Sequence, residues 1–591
     1  MRWNLDAIYP SFESPEFQSD CKALEGLVKE LGPACAGLTG SSCAALLAVV
    51  KLLEQYQLVL RRLASYCFLR QSVEAENPDA QAWIERLMAT DAESVQAVTV
   101  FRQYLGGLGD GLGAIIASEP ALREYECFLL ENQAYARYML SAEVEKALSL
   151  MEITGSQAWS NLQNTLTSTV TAEMEMGGET KPLTLTMVRN LAYDESAEVR
   201  RKAYEAELKC YAKVDKAVAA CLNGIKGEVI AKCRMRGFAS PLEQTLFTSR
   251  MDRATLDAMI GAMEESLPVF RAYLKAKARL LGHESLPFYD LFAPVGSVSG
   301  KYSLEEARTY LVETFRGFSG KMADFIDSAF ENQWLDTEPR EGKTGGAFCD
   351  SIHAIGQPRI LSNFNGSFNA VSTLAHELGH GYHGHCMNGA SVLNTDYPMQ
   401  LAETASIFNE TFLYGKAIES AADEGEKLAL LESELMESTQ VVVDILSRYY
   451  FETEVFRRRE TGTMSAEDLK EIMLDAQRRA YGDGLDQNLL HPYMWLCKGH
   501  YYMGVNFYNF PYAFGLLFGL GVYGLYKEQG EAFLPVYDRL LASTGSGDIA
   551  SVCAFVGIDV RDRAFWRKSL DVIRGKAEEF AALAGRAGAV S

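Results

Sequence analysis

The sequence predicts a mostly α-helical protein, and three observations carry that prediction. Apolar residues recur at three- and four-residue spacing through most of residues 16–150, and again over 197–232 and 252–281. Strand signals are scarce: the Thr-rich alternation within 164–186 and the short runs 345–349 and 358–364 are the segments that read as β. No fixed-period repeat, low-complexity tract or glycine-rich phosphate loop interrupts this pattern.

Length and composition bound the function. A chain of 591 residues with a 48% hydrophobic and 23% charged composition is an ordinary folded protein, long enough for more than one domain. Its net charge of −22, with no basic stripe, argues against a nucleic-acid backbone as partner. The start, Met1-Arg-Trp-Asn-Leu-Asp6, lacks the layout of a secretory signal. Twelve cysteines are scattered without Cys-x-x-Cys spacing, as reduced thiols would be, so the expected home is cytoplasmic. The most apolar run, 507–526, contains Asn509, Pro511 and several glycines; it reads as a buried helix, and no membrane partner is expected.

Taken in order, the first elements are helices over 42–60 and 78–104, followed by the glycine cluster 106–113, which marks a loop or hinge. A β excursion within 164–186 sets the domain boundary, giving an N-terminal helical domain at 1–187 and a second domain at 188–591. Long helices resume over 197–232 and 252–281, pause at Leu286-Pro-Phe-Tyr-Asp-Leu-Phe-Ala-Pro294, and return over 321–332. Two short strands, 345–349 and 358–364, then deliver the chain to a helix with Ser367 or Asn369 as its N-cap.

That helix carries Thr373-Leu-Ala-His376-Glu377-Leu-Gly-His380-Gly-Tyr-His383-Gly-His385, so four of eight histidines fall in one stretch. In His-Glu-x-x-His the histidines at i and i+4 share a face and can grip one Zn²⁺, while the glutamate beside the metal is placed to take a proton from water. A catalytic zinc needs a third protein ligand and an open position. The segment Pro398-Met-Gln-Leu-Ala-Glu403-Thr-Ala-Ser-Ile-Phe-Asn-Glu410 reads as a helix begun by Pro398, with two carboxylates seven residues apart on one face. The ligand role goes to Glu403, and Glu410 hydrogen-bonds a ligand. Cys386 lies close to the histidines, but a thiolate there would compete with this geometry.

A second constellation is His500-Tyr-Tyr-Met-Gly-Val-Asn-Phe-Tyr508-Asn-Phe-Pro-Tyr512. Phenol and imidazole groups can donate hydrogen bonds to a carbonyl oxygen on which negative charge develops, although aromatic-rich apolar segments are more commonly core.

On these motifs, together with Gly346-Ala-Phe-Cys349 and Leu401-Ala-Glu-Thr-Ala-Ser406, the chain resembles the M3 family of zinc metallopeptidases, in its oligoendopeptidase F group. The likeness runs from Trp3 to the Gly557–Trp566 stretch. It implies a two-lobed, mostly helical metallopeptidase with a small β-sheet beside the zinc-binding helix and a deep substrate channel, cleaving internal bonds of short peptides. It also implies His376, His380 and Glu403 as ligands of one Zn²⁺ per chain, Glu377 as base, and His500, Tyr508 and Tyr512 near the tetrahedral intermediate. Two other functions compete: a peptide-binding scaffold with a structural zinc, and an aminopeptidase using the same motif. A structural zinc would fill all four positions with protein ligands, and an aminopeptidase would need an acidic anchor for the free amine.

Overall fold

The computed structural model describes residues 1–176, 179–298 and 300–587. The chain is mostly helical, at 72% helix, with two small sheets among the described residues. It divides into two compact units, each assembled from three separated stretches: Met1–Met139, Gly300–Leu413 and Leu525–Gly557 form one, and Leu140–Ser299, Tyr414–Gly524 and Ile558–Ser591 the other.

The first unit begins with three long helices, Pro15–Ala36, Cys43–Val73 and Pro78–Gly107. Each is started by a side-chain oxygen that accepts from an otherwise unpaired backbone N–H, supplied by Ser14, Ser42 and Asn77. Their core is aromatic: Tyr9 meets Phe17 and Tyr66 edge-on, with centroids 5.2 and 5.5 Å apart. Among the described residues, Cys43–Val73 is the one helix long and apolar enough to cross a membrane, and its Leu46, Val50, Leu53, Tyr56 and Leu63 are buried in this core.

A three-stranded sheet in the same unit positions the site. Gln357–Leu361 is its central strand, parallel to Leu335–Asp336 and antiparallel to Phe348–Ile352 with Cys349 opposite Ile360. The helix Phe368–Cys386 packs against Phe348–Ile352 and Gln357–Leu361. Close approach is possible because Gly381 and Gly384 face the sheet: an added Cβ would stand 3.3 Å from Pro358 Cγ at the first and collide with the Ser351 side chain at the second.

The second unit is built of long helices, among which Arg253–Leu280 and Arg563–Ala587 run along each other. The stretch 197–232, which reads as one helix, is two: Ala197–Tyr211 and Asp215–Arg236, parted where Val214 leaves helical geometry at φ −125° and ψ −3°. Ala212-Lys-Val214 contains neither Gly nor Pro, so nothing local signals the break; the bend lets both helices bury a face, through Cys210 and Tyr211 on one and Val218, Leu222 and Ile225 on the other. The expected β excursion begins later than 164: Ser156–Thr169 is helical, and the hairpin pairs Thr171–Met176 with Glu179–Thr184. The Phe288-Tyr-Asp290 turn is fixed by a buried pair, Arg200 Nε donating to Asp290 Oδ1 at 2.7 Å, with His283 Nε2 2.7 Å from the other carboxylate oxygen. The apolar run near 507–526 is realised as the helix Phe510–Gln529, whose Phe514 meets Trp566 edge-on at 5.0 Å.

Candidate metal centre

The helix that carries His376 starts at Ser367, whose Oγ accepts from Ala370 N at 3.2 Å, while Asn365 Oδ1 accepts from Ser367 N at 3.0 Å. Val371, Leu374, Ala375 and Leu378 bury its core-facing side. His376 and His380 project together, ring centroids 4.8 Å apart and planes at 79°, with their Nε2 atoms 3.1 Å apart. Glu403 Oε2 completes a triangle, 3.3 Å from His376 Nε2 and 3.5 Å from His380 Nε2. A tetrahedral zinc with bonds of about 2.0–2.2 Å holds its ligand atoms about 3.3–3.5 Å from one another. The three side chains therefore already stand close to the spacing that one small divalent cation imposes.

Glu403 reaches this position from a break in the chain rather than from the face of a continuous helix. Met399–Ala402 is a single turn capped by Pro398, Glu403 itself has φ −83° and ψ 4°, and a new helix runs over Thr404–Glu419. The expectation of one helix begun by Pro398 is corrected accordingly. Side-chain hydroxyls stabilise the break, as Thr404 Oγ1 donates to Leu401 O at 2.8 Å and Ser406 Oγ donates to Glu403 Oε2 at 2.8 Å. Glu410, on the second helix, sits behind the histidine with Oε2 3.2 Å from His376 Nδ1. A carboxylate there keeps a proton on Nδ1 and leaves the Nε2 lone pair free for a metal.

The two helices are tied at two further points. Asn409 Nδ2 donates to Ala375 O at 3.0 Å. Gly379 lies against Ala405 and Ser406, where an added Cβ would come within 2.7 Å of backbone atoms of both.

Electrostatics match this arrangement. Burial works to lower the His376 pKa, but hydrogen bonds and charge from Glu403 and Glu410 carry it up to about 11. His380 is driven down to about 4, first by burial and then by the charge on His376. Burial works against ionised Glu403, yet His376, His380 and Ser406 hold it at about 2. Glu403 and Glu410 thus favour a positive charge at this point, which a divalent cation would supply in place of the second His376 proton. Glu377, buried on the same helix, is pushed up to about 7, mainly by burial and further by Glu403 and Glu410, against the opposing charge of His376.

His376, Glu377, His380 and Glu403 line a cavity of about 610 Å³ that also receives Arg61, Cys349 and Tyr397. The remaining histidines have other duties. His383 is fully buried, stacks on Tyr397 at 4.4 Å, and places Nε2 2.7 Å from Thr544 Oγ1. His385 packs on Phe325. Cys386 stays outside the three-donor group, and burial pushes its thiol up to about 12.

His500, Tyr508 and Tyr512 belong to the other unit, where the structure gathers them: ring centroids are 5.2 Å apart for His500 and Tyr508, 6.1 Å for His500 and Tyr512, and 5.5 Å for the two tyrosines. All three are partly exposed, whereas Phe510 between the tyrosines is fully buried. Phe507 holds the turn in a left-handed conformation, φ 52°, costly for a bulky residue and offset by packing on Phe456 at 5.5 Å. Asn509 fixes the next step, donating to Glu452 Oε2 at 3.0 Å and accepting Phe510 N at 2.6 Å. Burial lowers the His500 pKa, and the charges of Arg448 and Lys498 lower it further, so this ring is neutral at pH 7.

Sequence reasoning missed Ser406, Asn409 and the close approach at Gly379. The glycine was visible inside the motif, but its packing partner was not.

Comparison with known proteins points the same way. The sequence profile described as peptidase family M3 matches residues 190–572, and that described as oligopeptidase F matches residues 110–171. The Bacillus subtilis protein named oligopeptidase PepF is 25% identical over 568 residues, covering 94% of this chain and 83% of its own length. A crystal structure from Chlamydophila abortus superposes with a TM-score of 0.87 at 20% identity, over 98% of each chain. That of oligoendopeptidase F from Enterococcus faecium superposes with a TM-score of 0.71 at 20% identity, over 97% of this chain and 99% of its own.

Proposed function

The chain belongs to peptidase family M3, in its oligoendopeptidase F group, and is a metallo-oligopeptidase; from that premise we propose that it cuts internal bonds of short peptides with one zinc ion held by His376, His380 and Glu403. The observation that carries the metal assignment is the mutual spacing of the three ligand atoms, 3.1, 3.3 and 3.5 Å, which suits a tetrahedral zinc. When bound, zinc supplies Lewis-acid polarisation, acidifying a water and drawing electron density from the scissile carbonyl.

The chain's own residues do the rest. Glu377, buried on the same helix as both histidines, removes the proton of the attacking water and passes it to the departing amine nitrogen. One water is consumed, and an acid and an amine leave. Glu410 keeps His376 in the tautomer that offers Nε2, and Ser406 steers the Glu403 carboxylate. His500, Tyr508 and Tyr512 supply the N–H and O–H donors for the oxygen on which charge develops. Of the competing functions, a structural zinc is disfavoured by a donor set of three with a buried carboxylic acid beside it.

All twelve cysteines are unbridged, which supports a reducing, cytoplasmic setting. Metal analysis of the purified protein, combined with mass spectrometry of products from a mixed peptide library, tests the proposal. The expected result is zinc near one per chain and internal cuts; removal of single N-terminal residues would favour an aminopeptidase.

A further inference from the structure

A second cavity, about 390 Å³, lies wholly in the unit that carries His500, and the reaction just described makes no use of it. Its size falls within the roughly 300–1,000 Å³ of small-molecule pockets. Part of its wall comes from the motif Phe288-Tyr-Asp-Leu-Phe292, which the sequence singled out and the metal centre left unexplained. The rings are arranged as a lining: Tyr193 and Phe292 have centroids 5.0 Å apart, and Tyr204 and Tyr289 5.7 Å apart.

Four charged side chains face this space, and they are not balanced among themselves. Arg200 is engaged by Asp290 at 2.7 Å and by Asp194 O at 2.6 Å. Glu207 accepts the Tyr211 hydroxyl at 2.8 Å and has His491 Nε2 at 3.5 Å. Arg189 reaches Glu207 at no closer than 3.4 Å, beyond the roughly 2.7–2.9 Å of a strong charge-assisted hydrogen bond. Lys498 has no hydrogen bond or ion pair through its Nζ among the described residues. The carboxylate whose charge acts on it, Asp444, is already held by Arg448 Nε at 2.8 Å. Burial pushes the Lys498 pKa down, and the charges of Arg448 and Arg189 add to that. Arg189, loosely engaged by Glu207, and Lys498 thus both border an aromatic cavity, and an incoming anion would relieve the repulsion between them.

We propose that this cavity binds a carboxylate borne on an apolar group, with Arg189 and Lys498 as its counter-charges and the aromatic wall holding its body. Two sources present that chemistry, the C-terminal end of a peptide and a free small aromatic acid. Lys498 stands two residues before His500 in the chain and its charge acts on that ring. For a peptide ligand the cavity would therefore be a specificity pocket of the oligopeptidase, a part of the proposal that rests on the role given to His500.

Calorimetric titration of the full-length protein tests this without requiring turnover, so its failure is separate from a failure to cleave peptides. The probes are 3-phenylpropionate with its amide, and N-acetylphenylalanine with its amide. Each acid that binds is expected to do so at least about tenfold more tightly than its amide, and Lys498→Met and Arg189→Met should each remove most of that difference, as loss of a charged hydrogen bond would. Saturation by both acids indicates a general aromatic-acid site; saturation by N-acetylphenylalanine alone indicates the peptide terminus. Thermal melting checks that each variant folds, with Lys498→Gln as a second neutral replacement. Equal affinity for acid and amide, failure of both acids to bind at millimolar concentration, or unchanged acid binding in both the Lys498 and Arg189 variants would overturn the proposal.

Discussion

Gly379 and Ser406 touch backbone to backbone: a Cβ added to the glycine would stand 2.7 Å from Ser406 Cα. That contact joins the helix bearing both histidines to the helix that begins after Glu403, so the spacing of the proposed metal ligands depends on a missing side chain. Gly379→Ala should therefore separate the helices. The helical preference of Ala over Gly offers at most about 1 kcal/mol. Overpacking against rigid backbone costs about 1–3 kcal/mol or more, so the clash prevails. The expected outcome is a lower melting temperature together with weaker zinc retention on dialysis. Gly575→Ala, in a helix where an added Cβ meets nothing within 4 Å, is the control and should be neutral or slightly stabilising.

Glu403 and Glu410 both approach His376 but on opposite nitrogens, Nε2 at 3.3 Å and Nδ1 at 3.2 Å. Glu403→Ala removes a ligand and should abolish tight zinc binding. Glu410→Gln removes only the carboxylate that fixes the tautomer, and zinc affinity or activity should fall by about 10–100-fold. Elemental analysis and chelator competition on the two variants distinguish the roles; full zinc in Glu403→Ala would contradict the ligand assignment.

Peptides of about five to twenty residues should be cut internally, while a stably folded protein resists, because the family relationship points to short peptides and a pocket-sized site admits only extended chain. Denatured casein is the informative substrate. Its rapid internal cleavage would show that length imposes no limit.

Acid should loosen the sheet that leads into the helix bearing His376 and His380. Buried Asp336 accepts Arg340 Nη1 at 2.7 Å and has Lys343 Nζ at 2.8 Å. Burial alone would raise its pKa, but these two cations hold it below the ordinary 3.8. A depressed folded-state pKa contributes stability above the unfolded value, and that contribution disappears as pH falls through the folded value. Wild type should then exceed Asp336→Asn in melting temperature by a constant margin above about pH 5, a margin that closes as pH drops below about 4. A margin independent of pH would contradict this.

The candidate metal site was legible where chemistry imposes a local spacing. His376, Glu377 and His380 came from helical periodicity, and Glu403 from the need for a third ligand in an otherwise apolar segment. The break at Glu403 was not legible, since Met399-Gln-Leu-Ala402 reads smoothly into Thr404-Ala-Ser-Ile407 and the hydroxyls that stabilise the break act through side chains. The same holds for the bend at Val214, where burial on two faces overrides good helix formers. Pairings between distant segments were beyond reach, such as Asn4 N donating to Gln333 O at 2.8 Å, or Arg189 and Lys498 meeting around one cavity.

The central claim is that Glu377 moves the proton while the other residues hold the metal, and kinetics of Glu377→Gln measured alongside zinc content test it most directly. The substitution keeps the side chain's size and leaves His376, His380 and Glu403 untouched. Zinc near one per chain, an unchanged melting temperature and peptide affinity close to wild type, with kcat lower by at least about 10²–10⁴-fold, are the predicted result. Near-normal cleavage by a zinc-loaded Glu377→Gln protein would contradict it.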